Sequence, residues 1–162
     1  MLFDVSKIFE DNYSLLIKDS SRFHVFLCLG IIPFVVSIVL VIIGFKFSDN
    51  QFSNLITFIA IIVGFLINVT VIMITAEKDK GPIGKFLKNR NNANIFYTII
   101  IGILITLLAI IRSGFETSIF WPFINSYYII FSSVYYLIIY TLFIHFLIMI
   151  LIIMKAFYAL YK

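Results

Sequence analysis

The polar residues best suited to chemistry lie in the last apolar stretch of the sequence, where Tyr140 and Thr141 precede His145. An imidazole can gain or lose a proton near neutral pH, and an ionisable side chain inside a membrane span is a candidate functional group. A neutral imidazole held by a tyrosine or threonine hydroxyl would instead be structural. We therefore predict an intramembrane polar site at His145, Tyr140 and Thr141, and leave both roles open.

A second candidate, KGPIGK at 80–85, has some likeness to a phosphate-binding loop. That loop needs glycine where the chain has Asp79, and serine or threonine where it has Phe86. We find no HExxH, no GxSxG, no acidic residue in any apolar stretch, and a single cysteine, Cys28. The sequence therefore predicts a protein that is not an enzyme and that needs no metal or other cofactor.

The elements that must position these side chains are long apolar stretches. The chain is 62% hydrophobic and 12% charged, whereas soluble domains carry about 25% charged residues. Each stretch is long enough to cross a bilayer as a helix. We predict an all-α integral membrane protein, a compact bundle of four transmembrane helices (23–162) preceded by an amphipathic helix (1–22), with spans at about 24–45, 54–74, 95–112 and 127–154.

The basic residues are unevenly divided between the two sides of these spans. Ten of the twelve lie on the side of the termini, and only Lys46 and Arg112 lie on the other. The positive-inside rule then predicts cytoplasmic termini. The richness in Ile, Phe, Tyr, Asn and Lys, which have AT-rich codons, favours a bacterial source, and we therefore expect a bacterial inner membrane. The segment 77–92 is predicted to be a cytoplasmic loop that contacts a protein partner or anionic lipid, or that only orients the chain, through Lys78, Lys80, Lys85, Lys88 and Arg90. We expect no direct contact with nucleic acid.

The first 22 residues have the pattern of an amphipathic cytoplasmic helix. Its polar face is slightly acidic, which argues against binding to anionic lipid by charge. The helix would either brace the first span or dock a partner. Its apolar face is predicted to hold Val5, Ile8, Phe9, Tyr13, Leu16 and Ile17.

Small and polar residues recur at helical spacing within the spans, which is typical of closely packed membrane helices. They predict either packing within the bundle or a homo-oligomer interface. Pro33 should kink the first span, and the Asn68 amide needs a hydrogen-bond partner in lipid. The predicted packing residues are Gly30, Ser37, Gly44, Gly64, Asn68 and Gly102.

The overall plan, with four spans, both ends inside and short outer links, resembles two kinds of small bacterial membrane protein. One is the four-span subunit of antiphage defence systems such as Kiwa, and the other is the immunity protein against pore-forming colicins. The resemblance implies a non-enzymatic membrane sensor or anchor subunit that forms a homo-oligomer, contacts the lipid bilayer and docks a cytoplasmic protein. The alternatives are an immunity protein against a pore-forming bacteriocin and a small holin-like pore.

Overall fold

The structure, a computed structural model, describes residues 5–19, 21–75, 82–116 and 125–160, and side chains at 6–18, 21–72, 92–111 and 132–158. Every regular element in these ranges is helical, and four helices are long and apolar enough to cross a membrane. They form a compact bundle, which confirms the predicted all-α class and fold. The chain is thus a multi-pass membrane protein by the length and composition of its helices, with an apolar surface suited to contact with lipid.

Helix bounds follow the apolar runs. The first span contains a π-helical turn at Leu27–Ile31, and it begins after Ser21, whose hydroxyl accepts a hydrogen bond from the His24 N–H at 3.3 Å. The α-helices in chain order are α1 (Val5–Asp19), α2 (Arg22–Phe26), α3 (Ile32–Ile42), α4 (Asp49–Thr75), α5 (Pro82–Glu116) and α6 (Asn125–Leu160).

The predicted loop at 77–92 is wrong from Pro82 onward, because α5 begins there and continues into the third candidate span, Asn92–Ile111. Proline is favoured in the first helical turn, where its missing N–H has no intrahelical partner to lose. The residues that follow include good helix formers such as lysine, leucine and arginine. The backbone at Lys85, Lys88 and Arg90 is therefore helical, whereas Lys78 and Lys80 lie outside the described residues.

The helix of the fourth candidate span, α6, is longer than a bilayer requires. The 36 residues of α6 correspond to about 54 Å, whereas the hydrocarbon core is about 30 Å thick. The helix continues to Leu160, beyond the predicted end of the span at 154. It must therefore tilt or project beyond the lipid.

Gly44 ends the first span and does not pack against a neighbouring helix. Its φ is 76°, its N–H donates to the Val41 carbonyl at 3.0 Å, and the Phe45 N–H donates to the Leu40 carbonyl at 3.0 Å. These two bonds form a Schellman motif, in which a left-handed residue is usually glycine. No described atom of the bundle lies within 4 Å of the position of a Cβ there, so of the two predicted roles of this stripe only the homo-oligomer interface stays a prediction for Gly44.

The helices pack in the order α3, α6, α5, α4, and α1 lies against α5. The third span is the most enclosed, with 44% of its most apolar 18-residue stretch buried, against 17% in the first span. A core between α4, α5 and α6 contains Ile59, Ile105, Ile139 and Phe146, and none of these is more than 1% exposed. The first span therefore has the largest surface left for lipid, and α5 is the central helix.

Gly102 lies where α4, α5 and α6 approach most closely. A Cβ at this position would lie 2.7 Å from Val63 Cγ2, 3.1 Å from Phe146 Cε2 and 3.3 Å from Ile59 Cγ2. Close helix contact in membranes favours small residues, because they allow backbones to approach each other. A side chain at residue 102 would have to displace buried neighbours.

The other small and polar residues of the spans divide into inward and outward positions. Ser37 is fully buried, and its hydroxyl donates to the Pro33 carbonyl at 2.6 Å. At Gly30 a Cβ would meet only the Phe26 ring of the same span, at 3.7 Å, and at Gly64 no described atom lies within 4 Å. Asn68 is exposed on α4. Gly64 and Asn68 thus face away from the bundle.

Candidate functional site

Two hydrogen bonds link three of the candidate spans near the end of the bundle that carries α1. The Tyr97 hydroxyl of α5 lies 2.8 Å from His145 Nε2 of α6. His145 Nδ1 in turn lies 2.8 Å from the carbonyl oxygen of Leu29 in the π-helical turn. His145 is therefore held from both sides, by the third span through one ring nitrogen and by the first span through the other.

The sequence explains why the Leu29 carbonyl is available. In an α-helix it would accept a hydrogen bond from the residue four positions later, but that residue is Pro33, which has no N–H. Because a carbonyl can only accept, His145 Nδ1 must carry the proton. In the neutral ring Nε2 then accepts from the Tyr97 hydroxyl. The predicted kink at Pro33 thus takes the form of a π-helical turn whose freed carbonyl is satisfied by another helix.

This pair of side chains borders a groove of about 550 Å³ between α1 and the bundle. Phe9 and Tyr13 contribute from α1, Phe26 and Gly30 from the first span, and Tyr97 and His145 from α5 and α6. The volume is in the range of about 300–1,000 Å³ that is usual for small-molecule sites. An imidazole and a phenol therefore lie beside an otherwise mainly apolar space.

A second polar contact attaches α1 to the bundle. Asn12 Nδ2 donates to Asn94 Oδ1 at 2.9 Å, and the two residues are only 3% and 1% exposed. Beside this bond, the ring of Phe9 meets that of Tyr97 edge to face, with centroids 4.9 Å apart. Since Tyr97 also contacts His145, α1 is connected to the site at the base of the groove.

The structure separates the three residues predicted to form the intramembrane site. The Tyr140 hydroxyl donates to the Phe45 carbonyl at 2.6 Å, near the turn between α3 and α4. The Thr141 hydroxyl donates to the Leu137 carbonyl of its own helix at 2.7 Å. His145 is the only one of the three that borders the groove, and its partner is a tyrosine of another helix.

Sequence reasoning missed Tyr97, Asn12 and Asn94. The available sequence signal was at Asn12, which lies four residues before Leu16 and therefore on the same face of α1. This face is the buried one in the structure. The predicted apolar face is only partly buried, since Phe9 is 38% exposed and Tyr13 is 51% exposed. Both rings face the groove, where they are available to a ligand.

The fold and the site define a four-span helical membrane protein with an amphipathic helix attached by a buried amide pair and a histidine that joins three spans. No protein-family model matches the chain, and comparisons with curated proteins and with solved structures found no match.

Proposed function

We propose that this protein is a non-enzymatic sensor or anchor subunit of the bacterial inner membrane, with cytoplasmic termini, and that α1 is the part that moves. The observation that carries the proposal is the attachment of α1, which rests on the Asn12–Asn94 hydrogen bond and the Phe9–Tyr97 ring contact. A membrane subunit of an antiphage defence system is the biological setting that this behaviour fits. A cytoplasmic protein partner would bind differently to the docked and the released α1.

The strength of this attachment suits a switch. A polar contact between membrane helices contributes about 0.6–2 kcal/mol, and an aromatic pair about 0.5–1.5 kcal/mol beyond its area. Among the described side chains of α1, only those of Asn12 and Leu16 are buried. A two-state element with a gap of a few kcal/mol has a minor state that modest perturbations can populate. Altered lateral pressure in the lipid around an amphipathic helix is such a perturbation.

The site at the base of the groove supports transmission to the bundle. Displacing α1 removes the Phe9 ring from Tyr97, and the Tyr97 hydroxyl is a partner of His145. His145 is bonded to Leu29 of the first span. A change at α1 would therefore reach α5 and α6 without any chemical reaction.

The proposal can be tested by measuring distances between two spin labels in reconstituted vesicles. Cys28 is the only cysteine, so Cys28→Ala provides the background. Ser14→Cys on α1 and Lys155→Cys on α6 place labels at exposed positions. Adding lysolipid to one leaflet should shift the distance distribution from the docked value toward a longer, broader one.

Asn12→Ala should raise the released population before any lysolipid is added, by roughly three- to twentyfold if the bond contributes about 0.6–1.7 kcal/mol. Asn50→Ala is the matched control, since Asn50 is exposed at the start of α4. One unchanged distance in all variants, with and without lysolipid, would refute a mobile α1.

A second candidate function is favoured by the outward face of α4. Asn68 is exposed inside a candidate span and makes no side-chain hydrogen bond among the described residues, with Gly64 one turn away. An amide in lipid is stabilised by a partner on another helix, and small residues let that helix approach. The partner is a second copy in a homo-oligomer, or a toxin helix if the protein confers immunity to a pore-forming bacteriocin.

Cross-linking separates these two partners. Ile61→Cys, 65% exposed on α4, should form a disulfide dimer in the Cys28→Ala background if copies of the chain associate, and Asn68→Leu should abolish it. Without dimers, protection of cells against pore-forming bacteriocins that is lost with Asn68→Leu would support immunity. If Asn68→Leu abolishes neither dimer formation nor protection, both roles of this face are excluded.

A further inference from the structure

The groove lies at the depth where lipid headgroups meet acyl chains. Leu29 comes seven residues after Arg22, where the helix of the first candidate span begins, which places it about 10 Å along that span. The interfacial region of each leaflet is about 5–8 Å deep. The groove therefore extends from the interface into the first part of the hydrocarbon, where a phospholipid has its headgroup and the beginning of its chains.

The lining of the groove has a polar side and an apolar side. Glu10 and Ser6 contribute from the exposed side of α1, whereas Val25, Phe26 and Leu29 provide an apolar wall on the first span. Phe26 is 59% exposed, so this wall has room for an additional molecule. An amphiphile with its polar head at α1 and its chain along the first span fits this lining.

The charge of the groove favours one class of headgroup. Among the described residues that line the groove, Glu10 is the only carboxylate and none is a lysine or an arginine. Lys7 lies one turn earlier on α1 and does not border it. A cationic group is attracted to this carboxylate and can donate hydrogen bonds to it, whereas an anionic headgroup would be repelled.

We propose that the groove between α1 and the bundle binds one phospholipid with a primary ammonium headgroup, such as phosphatidylethanolamine. The ammonium pairs with Glu10 and one acyl chain lies along Phe26 and Leu29. Tyr97 and His145 form the polar base of the site. This inference requires the spans to lie in a bilayer, but it does not require α1 to move.

Gly30 offers a way to block the groove without disturbing the bundle. A Cβ there would meet only two carbons of the Phe26 ring, at 3.7 Å, which is ordinary van der Waals contact. Gly30→Leu would extend into the space of the ligand. Ile42→Phe is the matched control, because it enlarges a side chain of the same span that is 78% exposed and does not border the groove.

The test is native mass spectrometry of the full chain released from nanodiscs of equal parts phosphatidylethanolamine and phosphatidylglycerol. We expect the wild type and Ile42→Phe to retain one phosphatidylethanolamine, and Gly30→Leu to lose it. Glu10→Gln should retain a lipid but lose the preference for the ammonium headgroup, by roughly two- to fivefold as for a solvent-exposed ion pair.

Equal retention by Gly30→Leu and the wild type would overturn the proposal, as would equal retention of the two lipids by the wild type. Should Gly30→Leu fail to fold, Glu10→Gln still decides the matter, because Glu10 is exposed. If the chain retains a specific lipid but α1 never moves, the sensor proposal is rejected and the lipid site stands. If α1 moves but no specific lipid is retained, the lipid site is rejected and the sensor proposal stands.

Discussion

Replacing Gly102 with alanine should destabilise the bundle, whereas the same replacement at Gly64 should not. The new Cβ at residue 102 would lie 2.7 Å from Val63 Cγ2. Its other neighbours, Phe146 and Ile59, are 0% and 1% exposed and have no space into which to retreat. At Gly64 no described atom lies within 4 Å of the new methyl group.

Comparing the two variants isolates the steric cost. Each gains about 1 kcal/mol from the higher helix propensity of alanine, so this contribution cancels in the difference. Overpacking a filled core typically costs about 1–3 kcal/mol, and it applies only at Gly102. We therefore expect the free energy of unfolding of Gly102→Ala to be about 1–3 kcal/mol below that of Gly64→Ala.

The measurement is unfolding in mixed micelles with increasing SDS, followed by circular dichroism and by pulse proteolysis. Both variants are compared with the wild type at the same SDS fraction. A difference within about 0.5 kcal/mol, the scatter of neutral surface substitutions, would refute the close approach of α4, α5 and α6 at Gly102.

Three further predictions concern the site, the first turn and the topology. His145→Phe should lower stability by about 1–3 kcal/mol in the same micelle assay, because it leaves the partly buried Leu29 carbonyl without its donor; unchanged stability would contradict the assigned bond. Gly44→Ala should cost about 1–2 kcal/mol, since its left-handed backbone is strained with a side chain, and an unchanged midpoint would argue against the Schellman motif. With Cys28→Ala as background, Lys85→Cys should react with an impermeant maleimide only after cell lysis, and labelling of intact cells would reverse the proposed topology.

The spans were predictable because lipid imposes a length and a composition that few other environments impose. The ends of the helices were not. Hydropathy falls where the chain leaves the hydrocarbon, but α5 is already helical at Pro82, before the span predicted at about 95–112. The polar residues there are good helix formers, so the boundary that the sequence marks is that of the lipid and not that of the helix.

The candidate site was predictable in part. An ionisable group inside a span pointed to His145, but its partners lie 48 and 116 residues away along the chain. Which helices are neighbours depends on the packing of all four spans, and a single sequence does not specify it. One signal was local, because Pro33 leaves a carbonyl without a donor four residues earlier.

The two bonds of His145 differ in how easily they can be exchanged. The Leu29 carbonyl has lost its α-helical donor to Pro33, and an unsatisfied carbonyl in hydrocarbon costs several kcal/mol, so the bond from Nδ1 is held by the lack of an alternative. The Tyr97 side chain is only partly buried and borders the groove, so its hydroxyl can change partners at lower cost. A perturbation entering through α1 should therefore break the Tyr97–His145 bond before the His145–Leu29 bond, while the apolar core between α5 and α6 stays packed.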